Sequence, residues 1–572
     1  MLNNFYIDYS LDEYEILRIN KNNKWIYIGS KYNMKRETDL IQENIKKISS
    51  LKSIVAFGGA NGVWLEDIDK ITSGKEILVV EPQKELYEIF VEKKYNIKNN
   101  LVRVVSMEDD NFYENMMSAV KKSTFEVLIF GNYDMVYKEE FKTFIDKIMW
   151  MITDKQVGDN TTNFFSEIWF KSYLNNIPHI FEAQLVDSYK DSFKGKPAII
   201  VSAGPSLDKN LKFLKGNEDK FVIITGGRTL STLKKEGIKA DFTCVIDASE
   251  EMYNVFKPSL DMDVPLLFNE ETSEKIVSEY KGEKIFFNTR EFLNADREIL
   301  GFNSEILFQG GSVAHACTSF AKLLGCDPIV FIGQDLAYTD NKLHSENSVA
   351  NNESNRITNT ETYVKGVIEE KVLTNYDLNI FRERLEMMIK LNKEITFINC
   401  TEGGANIEGT VVKKLEEFIE EHNQVIDKTS IGKYDKINIS KEKVKNNLNV
   451  TYSEIDNLID LCKEAKKINS TLRDLYIKSI GKYNKALSRL DKIDEEINNK
   501  SSHLYLFEPL MAPINYNLSK KFGETKEEHN SILDEIQAVA EKGEYLNNEF
   551  IRVFNYGKPL IEKCIKNLEE LQ

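Results

Sequence analysis

Apolar and polar positions along this chain change their rhythm three times. From Ser53, short apolar runs alternate with helix-like stretches: SIVAFGGANG (53–62), EILVVEPQKELYEIF (76–90), VRVVS (102–106) and EVLIFGNYD (126–134). Four or five consecutive apolar residues suit strands buried on both faces of a parallel sheet, and the helical spacing between them suits crossover helices. Ahead of this unit, KWIYIGSKYN (24–33) predicts a small hairpin or edge element, followed by a helix over Asp39–Ile48. The strand–helix rhythm returns at Lys196 with PAIIVSAG, FVIITGG, DFTCVIDAS, PLLFN, KIFFNT, EILFQGG, PIVFIGQDLAY and TFINCTEGG, each read as a strand. Toward the C-terminus the period becomes helical, with one face traced through Ile455, Ile459, Cys462, Ile468, Leu472, Ile477, Ile480, Leu487 and Leu490. A break at Phe507–Pro513 separates it from a second run, Ile532–Leu571.

These patterns predict a multidomain α/β chain. Residues 1–150 form an N-terminal domain with a small β element and a Rossmann-like unit, and 151–190 an aromatic-rich helical connector. A central α/β domain spans 191–428 and an antiparallel helical domain 429–572. The central strands end in Gly, Ser, Asp, Asn, Gln or Thr, and in an open parallel sheet such ends gather along one edge as a ligand crevice. The long polar segment Thr339–Asn375 reads as a lid or substrate loop.

Length and charge narrow the picture. A chain of 572 residues exceeds one hydrophobic core, and a formal charge of −16 argues against non-specific nucleic-acid binding, which runs on Lys and Arg. The six cysteines are scattered without a CxxC pair, as expected of free thiols in a reducing compartment. MLNNFYIDYSLDEYE lacks a basic and apolar leader, and no apolar run is long enough for a membrane span, so a cytoplasmic protein is expected.

Candidate chemistry lies at the strand ends. In KPAIIVSAGPSLDKN (196–210), Gly204, Pro205 and Ser206 offer backbone N–H groups and a hydroxyl to a phosphate or carboxylate; equally, small residues simply allow a tight strand-to-helix turn. Asp247 is placed to bind ribose hydroxyls or to cap the next helix. Gly310, Gly311 and Ser312 lead into the helix VAHACTSFAKLLG, whose His315 points into the crevice or the core. FIGQDLAYTDNKLHSE is the densest polar cluster: Gln334 and Asp335 at a strand end, Tyr338 shortly after, and His344 on the loop as a candidate base or an ordinary exposed histidine. Glu402 lies in a further Gly-containing loop, TEGGAN. In the first unit Gly58, Gly59, Gly62 and Glu81 have the spacing of a nucleotide or S-adenosylmethionine pocket, but GGANG departs from GxGxxG and no catalytic group accompanies it, which favours a scaffold without ligand. Asp261-Met262-Asp263 spells DxD at the entry end of a strand, away from the crevice, and no metal site is assigned to it.

Taken in order, SAGPSLDKN, DFTCVIDAS, GGSVAHAC, LLGCDPIVFIGQDLAY with the downstream His344, and TEGGANIEG resemble the Maf family, the motility-associated factors carrying the domain of unknown function 115. That resemblance implies a glycosyltransferase moving a nonulosonic acid of pseudaminic, legionaminic or sialic type from a CMP-activated donor to Ser or Thr of flagellin. The central domain is also similar to bacterial sialyltransferases of modified GT-A fold, which share a GPSL turn, a small-residue strand end and a G-x-D-x-x-Y segment. Here these are Gly204–Leu207, Gly310–Ser312, and Gly333, Asp335 and Tyr338. The resemblance implies that His344 acts as base, preferred over His315, and that Asp335 and Tyr338 orient donor or leaving phosphate. It also implies that Gly204, Pro205, Ser206, Asp247, Gly310, Gly311, Ser312, Gln334 and Glu402 line the donor site, with inverting chemistry and no metal or other cofactor. One departure stands out: those enzymes carry Asn before the Gly of GPSL, where this chain has Ala203. Archaeal 6-hydroxymethylpterin pyrophosphokinases share the GPSL turn and would instead imply ATP, Mg²⁺ and diphosphoryl transfer. A third possibility is a non-catalytic flagellin-binding protein.

Overall fold

A computed structural model describes residues 5–47, 53–69, 76–92, 101–109, 112–121, 125–339, 342, 344–345, 361–500, 504–522 and 531–570. The chain divides into two compact units, Met1–Thr161 with Ser519–His529 and Thr162–Leu518 with Asn530–Gln572. It is mixed α/β with parallel sheets and a helical C-terminal region.

In the first unit, β1 (Phe5–Tyr9), β2 (Glu15–Lys21) and β3 (Lys24–Ile28) form an antiparallel sheet, and KWIYI is its third strand. A helix follows at Met34–Lys47, starting earlier than the periodicity predicts because the Asp12 carboxylate accepts from the Met34 and Lys35 amides and caps it there. Then β4 (Ser53–Phe57), β5 (Ile77–Glu81), β6 (Val102–Ser106) and β7 (Phe125–Ile129) make a parallel sheet of order β6-β5-β4-β7. Every residue of β4 and β5 is buried, as their unbroken apolar runs demand.

The second unit is built on β8 (Gln184–Leu185), β9 (Ala198–Val201), β10 (Val222–Gly226), β11 (Phe242–Cys244), β12 (Leu266–Phe268), β13 (Lys284–Phe286) and β14 (Ile329–Ile332). A hairpin, β15 (Glu361–Lys365) with β16 (Lys371–Asn375), precedes β17 (Phe397–Asn399) and β18 (Val411–Val412). Apart from the hairpin, these strands form one parallel sheet of nine, ordered β18-β17-β14-β9-β10-β11-β12-β13-β8. Alternate residues of β9 enter separate cores: Ile199 and Val201 join Leu207, Leu211 and the C-terminal Phe554 and Ile561, while Ala198 and Ile200 join Cys317, Phe320 and Ala321. All six cysteines are unpaired and buried.

Three expectations change. EILFQGG is not a strand: beyond a single bridge between Asn288 and Ile306, the chain turns at Gly310 and Gly311, both of positive φ, into the next helix. The end of the Thr339–Asn375 segment is a hairpin rather than a loop, because β15–β16 is clamped by the Val367 amide donating to the Gly404 carbonyl and the Asn406 amide to the Lys365 carbonyl; residues 346–360 of the expected lid lie outside the described residues. The C-terminal apolar face does not run through: the helices Lys441–Asn469, Leu472–Lys478 and Ile480–Asn498 reset phase at their breaks. Ile455 and Cys462 are buried, whereas Ile477 and Ile480 are 61% and 56% exposed.

Beyond β12 and β13 lies a fully buried carboxyl group set. Asn288 Nδ2 donates to Glu270 at 2.8 Å and also to Asp296, and the Thr289 amide donates to both Glu270 oxygens at 3.0–3.1 Å. Burial raises Glu270, Asp296 and the adjacent Glu271, and the Glu270 charge raises Asp296 further. Groups raised in the folded state contribute stability at acid pH that is lost as pH climbs through their folded values. Asp296→Asn is therefore expected to flatten the fall in melting temperature as pH rises above the ordinary carboxylate range. At the alkaline end it should gain about 1 °C for each kcal/mol recovered. Melting curves across pH check this; a variant as steep as the parent would count against it.

Candidate active site

From β9 the chain moves outward through β10–β13, then returns to β14 on the other side of β9. Such a reversal opens a crevice at the carboxyl ends of the two flanking strands. Two segments meet there, Ser202–Ser206 after β9 and Gly333–Thr339 after β14.

Their junction is closed by Asp335. Its carboxylate, buried, accepts from the Ser206 amide at 3.2 Å, the Ser206 hydroxyl at 2.8 Å and the Thr339 hydroxyl at 2.7 Å. Ser206 opens the helix Leu207–Leu214 in the N-cap position, yet its hydroxyl makes no cap hydrogen bond and turns to Asp335 instead. A side chain on Gly204 would meet the Asp335 carboxylate and approach the Gly333 carbonyl to 2.5 Å, so this glycine admits the neighbouring strand end. The Ser206 amide, one of the N–H groups expected to seat a phosphate, is thus engaged by a carboxylate of the chain itself. Burial raises Asp335, and its Thr339 and Ser206 hydrogen bonds oppose the rise.

His344 lies half-buried against the same turn. The Ser345 amide donates to the Ala203 carbonyl at 2.9 Å and the Ser345 hydroxyl to Asp208 at 2.5 Å, fastening this segment where the sialyltransferase pattern has Asn. Burial and the Arg228 charge push the imidazole down to about 4, while a hydrogen bond to Ala203 backbone acts upward. At neutral pH it is an uncharged base. Arg228 stands in the first turn of the helix Gly227–Glu236 after β10, half-buried, with Glu251 at 4.0 Å and Asp247 in electrostatic range. Asp247 is exposed at the end of β11 and accepts from the Ser249 amide at 2.7 Å, while Ser249, not Asp247, caps the helix Glu250–Phe256. His344, Arg228 and Asp247 therefore share one edge of the crevice.

Gly310, Gly311 and Ser312 come to the same side, since the helix Val313–Leu323 packs across β9, β10 and β11 and Val313 fills the space a side chain on Gly226 would need. Ser312 caps that helix. His315 faces the core: its Nε2 pairs with the Phe381 carbonyl at 2.9 Å, its ring lies under Gly310, and burial pushes it down to about 4. Arg384 braces this turn by donating to the Gly310 carbonyl at 2.9 Å.

The remaining predicted residues have other engagements. Gln334 is buried beside Asp335. Tyr338 is buried too, its hydroxyl accepting from Asn375 at 3.3 Å and its amide donating to the Leu373 carbonyl of β16. Glu402 accepts from Asn210 on the helix after β9 at 3.2 Å, and its carbonyl accepts from Lys209. Asp261 of the DxD sequence pairs with Lys234 at 3.3 Å, outside the crevice. Arg228 and Arg384 were not singled out above. The former had a signal, a cation directly after the Gly-Gly strand end of ITGGRTL; the latter had none, because its partner is distant in sequence.

The first unit repeats the arrangement. Glu81, at the end of β5 and fully buried, accepts from the Gly59 amide at 2.9 Å, the Ala60 amide at 3.3 Å and the Tyr133 hydroxyl at 3.0 Å. Tyr133 occupies the space beside Gly58, whose φ is +101°. Burial raises Glu81 to about 7.

Residues 171–341 match the family described as "6-hydroxymethylpterin diphosphokinase MptE-like". No curated protein matches the chain. The Maf glycosyltransferase from Magnetospirillum magneticum AMB-1 has a similar fold over 100% of this chain and 94% of its own, with a TM-score of 0.54 and 13% identity. The resemblance to Maf proteins carried by the central motifs thus extends, at the level of fold, to the whole chain. Among the described residues no helix is long and apolar enough to cross a membrane.

Proposed function

We propose that this chain is an inverting CMP-nonulosonic acid:protein O-glycosyltransferase whose acceptor is Ser or Thr of flagellin, acting in the cytoplasm and without a metal. The observation that carries it is the meeting of the ordered motifs at one crevice, with a neutral imidazole, His344, held over the turn after β9. The full-length likeness in fold to a Maf glycosyltransferase supports it. His344 takes the proton of the acceptor hydroxyl as its oxygen bonds to the anomeric carbon; the bond from that carbon to the phosphate oxygen breaks, and CMP departs with the electron pair. Asp335 acts as a positioning residue, fixing the turn through Ser206 and the His344-bearing segment through Thr339. The Rossmann-like first unit and the GT-A-like second unit belong to the same proposal.

The match to MptE-like proteins favours a second reading, diphosphoryl transfer from ATP–Mg²⁺ to a pterin alcohol. Thermal-shift titration separates the two, since a ligand that binds only the folded state raises its midpoint by mass action. CMP in EDTA is expected to raise the midpoint, with about 2.7 kcal/mol of stabilisation at a hundredfold excess over Kd. A shift with ATP–Mg²⁺ and none with CMP would replace the glycosyltransferase by the kinase; no shift with either would point to a non-catalytic flagellin binder.

A further inference from the structure

The antiparallel sheet of the first unit ends on β1, and its register fixes which backbone groups face outward there. At one end the Ser10 amide donates to the Tyr14 carbonyl; at the other, Asn22 and Asn23, both of positive φ, turn the chain between Lys21 and Lys24. Both turns set the same alternation. Tyr6 and Asp8 bond inward to Arg18 and Ile16, so the N–H and C=O groups of Phe5, Ile7 and Tyr9 point away from β2. Among the described residues no hydrogen bond closes the Ile7 amide or carbonyl on that side, and the Tyr9 amide is met only by its neighbour Asp8 at 2.9 Å. The strand FYIDY carries no lysine, proline or glycine to guard this edge, and Ile7 and Tyr9 are 40% and 60% exposed.

We propose that β1 is a self-association surface, pairing antiparallel with β1 of a second copy of this chain about a two-fold axis at Ile7. Such an isologous contact needs a strand that complements itself, and this one does. Centred on Ile7, the pairing sets Ile7 against Ile7 and Phe5 against Tyr9 on one face, and Tyr6 against Asp8 on the other. The charges agree as well. Arg18 donates to the Tyr6 hydroxyl and its guanidinium lies 5.6 Å from the centre of that ring, so Asp8 of the second copy arrives beside a cation. The Tyr9 amide exchanges Asp8 for the Phe5 carbonyl across the axis. Two three-stranded sheets become one of six strands, and the outward groups of both edges are satisfied. An unrelated peptide laid on this edge would supply backbone partners without the reciprocal match of side chains. The inference is independent of the function proposed above.

The test is sedimentation equilibrium of the full-length protein, with and without changes at Ile7. The wild-type chain is expected to approach twice its 66.1 kDa mass as concentration rises. Ile7→Pro removes an N–H that has no partner inside the sheet, and should weaken association about tenfold or more by deleting two symmetry-related hydrogen bonds. Ile7→Lys sets two ammonium groups together at the axis, should weaken it similarly, and guards against misfolding in the proline variant. A cross-link reads the register. In Ile7→Cys, diamide should join two copies through a disulfide, since facing Cα atoms of a hydrogen-bonded pair lie about 5.5 Å apart, and the native cysteines are all buried. Tyr9→Cys, which faces Phe5 across the axis, should stay uncoupled. A mass of 66.1 kDa at every concentration would overturn the proposal and leave the edge to another chain. So would a dimer that both Ile7 variants leave intact, or one cross-linked through Tyr9→Cys and not through Ile7→Cys.

Discussion

Gly204→Ala is expected to destabilise the protein by about 3–5 kcal/mol, through overpacking against Asp335 and disruption of the charge-assisted hydrogen bonds to Ser206. In a unit of this size that corresponds to a melting temperature lower by roughly 4–6 °C. The added methyl cannot be accommodated by rotating a flexible side chain, because it also meets the Gly333 backbone carbonyl. Ser206→Ala, which removes a hydroxyl and leaves the amide bond to Asp335, should cost about 1 kcal/mol. Thermal and chemical denaturation of both variants check this. If Gly204 is small for the sake of a ligand, its alanine variant would instead keep its melting temperature and lose CMP binding.

His344→Gln is expected to lower the rate of sugar transfer about 10²- to 10⁴-fold, the usual contribution of a positioned general base, with the melting temperature unchanged. The pH profile carries the sign. Because burial and Arg228 hold the imidazole down to about 4, it is uncharged and able to accept a proton throughout the neutral range. The acid limb of kcat/KM, which reports the free enzyme, should therefore lie far below that of an ordinary histidine, with activity falling as pH drops through about 4. His315 sits equally low but is enclosed against Phe381, so His315→Gln should disturb stability more than the pH profile. Full transfer activity in His344→Gln would remove the histidine from the mechanism.

The sheet strands were readable in the sequence wherever apolar residues ran unbroken, as in AIIV of β9 and IVFI of β14, because burial on both faces leaves no room for polar alternation. EILFQGG misled for the same reason in reverse: a β-like composition cannot reveal that two glycines of positive φ turn the chain away from any partner strand. The helical break at Ser470 carries no proline or glycine, and the lone Gly481 after Ser479 is tolerated inside the next helix, so only tertiary packing shows that Ile477 and Ile480 leave the buried face. At the site, local chemistry brought Ser206, Asp335 and His344 to attention but could not say which touched which. That Asp335 is directed at Ser206, and His315 at Phe381, follows from strand order and helix packing, which no spacing encodes.

Both parallel sheets place an acidic side chain from one strand end inside the glycine turn of its neighbour, Asp335 beneath Gly204 and Glu81 against Gly59. A tethered group of this kind acts at an effective concentration in the millimolar range or above, so a dissolved anion competes with it at a disadvantage. A ligand reaching either turn would first have to displace a carboxylate of the chain itself. The chain completes both turns unaided, each closed by an acid from the neighbouring strand end.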